Sequence, residues 1–272
     1  MAESVGRASF DASIPNVARI YDYWLGGKDN FAADREAAER SAKAVPQLPW
    51  LSRENRRFLG RAVRFCAGAG ITQFLDIGSG LPTMENVHEV AGQVTADPHV
   101  VYVDNDPVVV SHAQALLAGP RTTAIHGDLT RPEEILGAAE VRRLIDFGRP
   151  VALLIVATLH FVPDEAGPAG AVARLRDALV PGSYLVISHI EVSPAHGVGT
   201  EPRSQTAHEL GEAQKGTPMA PVRSRKEIAA FFGDLTLLEP GLVDVWDWRP
   251  DSRVVATSSD VLTLLGGVAR KD

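Results

Sequence analysis

Between residues 74 and 188, short apolar runs recur at regular intervals, and most run into an acid or glycine-rich turn. Phe74-Leu75 runs into Asp76-Ile77-Gly78, and residues 100–103 run into Asp104. Ala124-Ile125 leads to His126-Gly127-Asp128, residues 151–156 to Ala157-Thr158, and residues 184–187 to Ser188-His189. The stretches between them, residues 85–91, 107–117, 132–144 and 169–179, read as helices. Apolar strands alternating with helices predict a mostly parallel sheet covered on both faces. The tail adds a helix near 225–232 and two further strands near 235–245 and 261–268. Residues 193–222 are polar and Pro-rich, a connection long enough to cover an active site.

The amino-terminal part has a different pattern. Val17, Ile20, Tyr21 and Trp24 fall at helical spacing behind Asn16, a good cap, and Gly26-Gly27 ends that helix. A second helix is expected from Phe31 towards Ala44, broken by Pro46 and Pro49. A third is expected over 52–67, with Arg53, Arg56, Arg57, Arg61 and Arg64 on its solvent side. Residues 1 to about 12 are small and polar and are expected to be disordered. The division predicted is a helical lid or extension over 1–70 and a sheet domain over 71–272.

Composition adds exclusions. Hydrophobic residues make up 45% and charged residues 22%, an ordinary soluble balance. The net charge is -7, and no Lys/Arg-rich stretch suggests nucleic-acid binding. Cys66 is the single cysteine, which rules out a disulfide within the chain and leaves no Cys cluster for a metal. Met1 to Asp11 lacks a basic region followed by an apolar run, and residues 151–159 are too short to span a bilayer. A cytoplasmic protein with no membrane, nucleic-acid or metal partner is expected.

Ligands of an open parallel sheet bind beyond the carboxyl ends of its strands. Here those ends carry Asp76-Ile77-Gly78-Ser79-Gly80, Asp104-Asn105-Asp106, Gly127-Asp128-Leu129 and Ala157-Thr158-Leu159-His160. Glycines allow a tight turn and close backbone approach. Asp104 suits a pair of ribose hydroxyls, and Asp128 suits an adenine amino group. A dinucleotide fingerprint starting at Gly78 would need its third glycine at Thr83, so it fails. An acid at Asp76 would repel pyrophosphate and attract the ammonium of S-adenosylmethionine.

These motifs, with residues 153–161, resemble those of class I S-adenosylmethionine-dependent methyltransferases. More narrowly, the segment from Pro15-Asn16-Val17-Ala18-Arg19 to Lys28-Asp29-Asn30-Phe31 resembles the opening of an actinobacterial S-adenosyl methyltransferase family, formerly a domain of unknown function. Glu239-Pro240-Gly241, Trp248-Arg249-Pro250 and the ending Gly266-Gly267-Val268-Ala269-Arg270-Lys271 are similar too. The resemblance implies a Rossmann-like, seven-stranded α/β sheet whose last strand is antiparallel, and binding of S-adenosylmethionine. One departure is Pro82, where the common loop has a third glycine.

Candidate cofactor residues are therefore Asp76, Gly78, Ser79, Gly80, Asp104, Asn105, Asp106, Asp128, Leu129 and Ala157. Arg19, Tyr23 and Gly27 join them if the amino-terminal segment closes as a lid, with Arg19 forking the methionine carboxylate. Each has a plainer reading: Asp76, Asp106 and Asp128 could cap turns or helices, and Tyr23 could simply pack. His160 and His189 are candidate acceptor-side bases or structural histidines. The function expected is methyl transfer to a small-molecule acceptor. The alternative is a non-catalytic S-adenosylmethionine sensor or interaction module.

Overall fold

The computed structural model describes residues 11–82, 85–192, 223–252 and 262–272. The 193–222 connection, the first ten residues and Thr83 lie outside the described residues.

Three helices open the chain: α1 (Val17–Leu25), α2 (Ala32–Ala44) and α3 (Leu48–Gly68). The Asn16 side chain accepts from the Ala18 and Arg19 amides and starts α1, and Gly26 in the left-handed region stops it. Pro49 falls in the first turn of α3, where it has no helical hydrogen bond to lose. It therefore opens the helix instead of breaking it. The expected solvent face of α3 is corrected at Arg61. This residue is buried and donates to the Trp248 and Val245 carbonyls.

The strands are β1 (Gln73–Ile77), β2 (His99–Asp104), β3 (Thr122–His126), β4 (Ala152–Val156), β5 (Tyr184–Val192), β6 (Thr236–Leu237), β7 (Val243–Asp244) and β8 (Leu262–Arg270). The helices between and after them are α4 (Val87–Gly92), α5 (Pro107–Leu117), α6 (Pro132–Gly137), α7 (Ala139–Leu144), α8 (Pro168–Asp177) and α9 (Arg225–Ala230). The sheet order is β3-β2-β1-β4-β5-β8-β6, with β7 also paired to β8. β1 to β5 are parallel, the last strand β8 runs antiparallel to β5 as expected, and β6 and β7 pair antiparallel with β8 and so share the direction of β1 to β5. The sixth expected strand is split into β6 and β7 by a turn in which Gly241 donates to the Leu238 carbonyl, so the sheet has eight strands. The helix expected over 132–144 is likewise two, because Ala138 is extended.

Strand alternation sorts the core. Phe74, Tyr102, Leu154 and Val186 face α1 to α5, and Leu75, Val103, Ile155 and Ile187 face the layer of α6 to α8 with Phe231 and Phe232, which follow α9. Phe58, Ala62, Val63 and Cys66 of α3 belong to the first of these cores. The boundary near residue 70 thus separates elements and not cores. Burying a side chain such as Phe58 contributes about 1.5–3 kcal/mol, so α3 is a structural wall of the sheet.

The strand order reverses between β1 and β4. That is the topological switch point, where a crevice opens beyond the strand ends.

Candidate functional site

The turn after β1 is built from two glycines in the left-handed region, Gly78 at φ 74° and Gly80 at φ 67°. At Gly78 the side-chain space is taken: an added Cβ would lie 2.2 Å from Thr158 Oγ1. Thr158 also donates to the Ile77 carbonyl at 3.2 Å, so the turns after β1 and β4 interlock. Gly78 and Ser79 donate to the Val103 carbonyl at 2.8 and 3.2 Å.

Asp104 ends β2 in this loop. One carboxylate oxygen accepts from the Gly80 amide and the other from the Asp106 amide, both at 2.9 Å. Asp104 is buried, which raises its pKa, while those two amides hold it down. Asp106 caps α5 through the Val108 amide at 2.7 Å, so the capping reading holds. Asn105 is exposed, and its carbonyl meets His126 Nε2 at 3.1 Å. Asp128 accepts from the Thr130 amide and hydroxyl, both at 2.8 Å, which closes a local turn. Leu129 has its side chain buried in the core with Ile77 and Val103, which leaves only its backbone at the strand end.

Asp76 is the penultimate residue of β1, on the α3 side. Burial raises its pKa to about 7; the Arg56 charge opposes this and Asp104 adds to it. Asp76, Arg56, Ser79, Gly80, Asn86 and Tyr102 line a small void beside the strand ends, with room for about one water among the protein atoms. Arg56 was missed by sequence reasoning, because five arginines on one helix look alike until the fold places one of them over the strand ends.

The amino-terminal candidates are placed otherwise than expected. Arg19 is buried, and its guanidinium donates to Asp34 at 2.8 Å and to the Ile14 carbonyl at 2.6 Å, with Asp106 3.9 Å away. It ties α1 to α2 and lies beside the β2 end, with its guanidinium engaged by protein oxygens and not by a ligand carboxylate. Tyr23 reaches Glu39 on α2 at 3.0 Å. Gly27 lacks a side chain because Asp22 fills the space: an added Cβ would lie 1.9 Å from Asp22 Oδ1. Asp22, another residue missed, also accepts from the Asp29 amide and the Asn30 side chain. The reasons for these residues are internal to the segment.

The two candidate histidines are both buried. His189 Nδ1 meets the Ile190 carbonyl at 2.7 Å, and Nε2 meets Arg223 at 3.0 Å. Since an arginine only donates, Nε2 accepts and the proton sits on Nδ1. Burial pushes the His189 pKa down to about 4. His160 is buried, with its Nδ1 unpartnered. Burial first, then His189 and Arg223, hold its pKa well below the usual imidazole range. Such sealed, neutral rings are weak proton acceptors at neutral pH. Arg223 was also missed, and it clamps the post-β4 turn. It donates to the Leu159 and Val162 carbonyls, each at 2.7 Å, and to Asp164 at 2.6 Å.

The family model described as S-adenosyl methyltransferase matches residues 3–272. The chain belongs to the S-adenosyl methyltransferase family. Two solved structures carry the likeness across nearly the whole length. A Thermobifida fusca protein, named as belonging to the methyltransferases, is 43% identical with a TM-score of 0.85, and the match covers 96% of each chain. A DUF574 family protein from Streptomyces avermitilis is 42% identical with a TM-score of 0.86, over 96% of this chain and 99% of that one. An O-methyltransferase family protein from Burkholderia thailandensis, 13% identical with a TM-score of 0.50, shares the fold; the match covers 95% of this chain and 65% of that one. No curated protein matches the sequence.

This family member is an S-adenosylmethionine-dependent methyltransferase. Its residues fit that cofactor: the glycine turn lets a ligand approach the backbone, and the buried acids Asp76 and Asp104 suit a cationic, hydroxyl-rich molecule. Among the described residues, no helix is long and apolar enough to cross a membrane and no His/Cys/Asp/Glu group could hold a metal ion.

Proposed function

We propose that the chain methylates a small-molecule acceptor from a site at the carboxyl ends of β1, β2 and β4. The observation that carries this reading is the pair of buried acids, Asp76 and Asp104, set around one glycine turn at the switch point. Asp104 accepts from the ribose hydroxyls with lone pairs that the Gly80 and Asp106 amides leave over. Asp128 accepts from the adenine amino group. Asp76 takes the ammonium of the methionine tail, and Arg56, on the same void, takes its carboxylate.

When bound, S-adenosylmethionine supplies a methyl carbon on positive sulfur, and an acceptor lone pair displaces the neutral thioether in line. The protein's share is alignment and exclusion of water, which needs no dedicated base. The buried, neutral state of His160 and His189 agrees with that. The net charge of -7 disfavours a polyanionic acceptor and supports a small molecule.

The test is incubation with methyl-labelled S-adenosylmethionine and a cell extract separated into metabolite, protein and nucleic-acid fractions. Label is expected in the metabolite fraction. Label confined to protein or nucleic acid contradicts the acceptor class.

A further inference from the structure

A buried hydrogen-bond chain crosses from the amino-terminal helices to the turn after β4. The Ala157 amide donates to Ser188 Oγ at 2.9 Å, Ser188 Oγ donates to Asn55 Oδ1 at 2.6 Å, Asn55 Nδ2 donates to Tyr21 Oη at 2.9 Å, and Tyr21 Oη donates to the Ser52 carbonyl at 2.8 Å. All the donors point the same way, an arrangement in which each bond polarises the next. Ser188 is fully buried and Asn55 nearly so. The chain joins α1, α3, β5 and the β4 turn, and nothing in the cofactor reading requires it.

Its terminus explains its position. Ala157 lies at φ 55°, in a region that an alanine avoids. Such a conformation persists only where the surroundings over-determine it. The Ser188 hydroxyl, together with the Ser188 carbonyl at 3.2 Å, supplies two acceptors for the single Ala157 amide. The next residue, Thr158, is the one whose side chain occupies the space beside Gly78 and bonds the Ile77 carbonyl. The turn at Ala157 therefore sets the glycine turn, and the glycine turn holds Asp104 through Gly80.

We infer that Asn55 and Ser188 are positioning residues for the cofactor site, through which the helical extension holds the β4 turn closed on the β1 turn. They reach the ligand only through other residues. The inference rests on the proposed location of the cofactor.

The experiment uses the full chain with Ser188→Ala, Asn55→Leu, the double variant and Ser188→Thr, and reads two quantities. The first is exchange of the Ala157 amide in ligand-free protein, followed by NMR. It should speed up at least tenfold in Ser188→Ala and in Asn55→Leu, and fall back towards wild type in Ser188→Thr, which keeps the hydroxyl. The second is calorimetric affinity for S-adenosylhomocysteine. Each single loss should weaken it by about 5–20-fold (~1–1.8 kcal/mol), and the double variant should be no weaker than the worse single one. Unchanged Ala157 exchange overturns the inference, and so do unchanged affinities with intact exchange effects. Multiplying losses in the double variant also overturn it, since independent sites add in free energy. If Asn55→Leu does not fold, the Ser188 pair decides on both readouts. Asp104→Ala separates the two failures: unchanged affinities in the Ser188 and Asn55 variants beside a loss in Asp104→Ala overturn the inference alone, whereas an unchanged affinity in Asp104→Ala as well overturns the cofactor's location and leaves the hydrogen-bond chain standing as structural.

Discussion

Asp76 is a carboxyl group kept from water with its charge only partly compensated. Its ordinary value is 3.8 and burial raises it to about 7. In the ligand-free protein a raised acid pKa contributes stability below about 3.8, and that stability is lost as pH rises through 7. An ammonium beside the carboxylate favours ionisation, so binding of S-adenosylhomocysteine should release a proton below pH 7. Affinity should then weaken as pH falls from about 7, by up to about tenfold per unit, and the slope should vanish in Asp76→Asn. Arg56→Met and Asp76→Asn should each cost about 10–100-fold in S-adenosylhomocysteine affinity, the scale of a lost charge-assisted hydrogen bond. Both should spare 5′-methylthioadenosine, which lacks the amino-acid tail. Equal losses for both ligands, measured by calorimetry, would remove the tail from this void. Asp76 and Asp104 stood out as candidates because each closes an apolar run at a strand end, and the structure places both beside the glycine turn. Arg56 and Arg19 were not, because a sequence shows a charge and not its partner: Arg19 is taken by Asp34, 15 residues on.

At the scale of elements, the strands and most helices were written in the alternation of apolar runs, and α1 in its cap. Strand parity would also have separated Ser188 from His189. On β5, Tyr184 and Val186 face α1 to α5, so Ser188 follows them to Asn55, while His189 follows Leu185 and Ile187 to the opposite layer. What parity does not show is that Arg223, far along the chain, supplies the donors for that layer. Arg223 is buried against the Leu159 and Val162 carbonyls and His189, and removing it takes a donor from each of these acceptors. Arg223→Ala should destabilise the protein by about 2–4 kcal/mol, the cost of the donors lost to these neutral buried acceptors, judged by denaturant titration. Arg223→Lys should recover only part, since an ammonium cannot fork to these acceptors. A loss under about 1 kcal/mol in the alanine variant would show the clamp to be incidental. The break between α6 and α7 and the split of β6 from β7 were illegible, because each turns on one local backbone angle or turn.

At the scale of the whole molecule, the helical extension and the sheet share one core through Phe58, Ala62 and Val63. α1 is also tied to both sides of the strand ends. Tyr21 joins the β5 side through Asn55, and Arg19 lies 3.9 Å from Asp106 on the β2 side. The fold class was legible from the period of the pattern, and the cofactor from the acids at the strand ends. The wiring between the extension and the sheet was not, because it depends on contacts across more than a hundred residues of sequence. All of it converges on the reversal of strand order beside β1, where Asp104 closes the glycine turn. The most direct test is calorimetric titration of the wild type and Asp104→Ala with S-adenosylhomocysteine. Unpairing the ribose hydroxyls and the Gly80 and Asp106 amides should weaken binding by about 2–4 kcal/mol while the protein stays folded. An unchanged dissociation constant in a folded Asp104→Ala protein would contradict the placement of the cofactor at these strand ends.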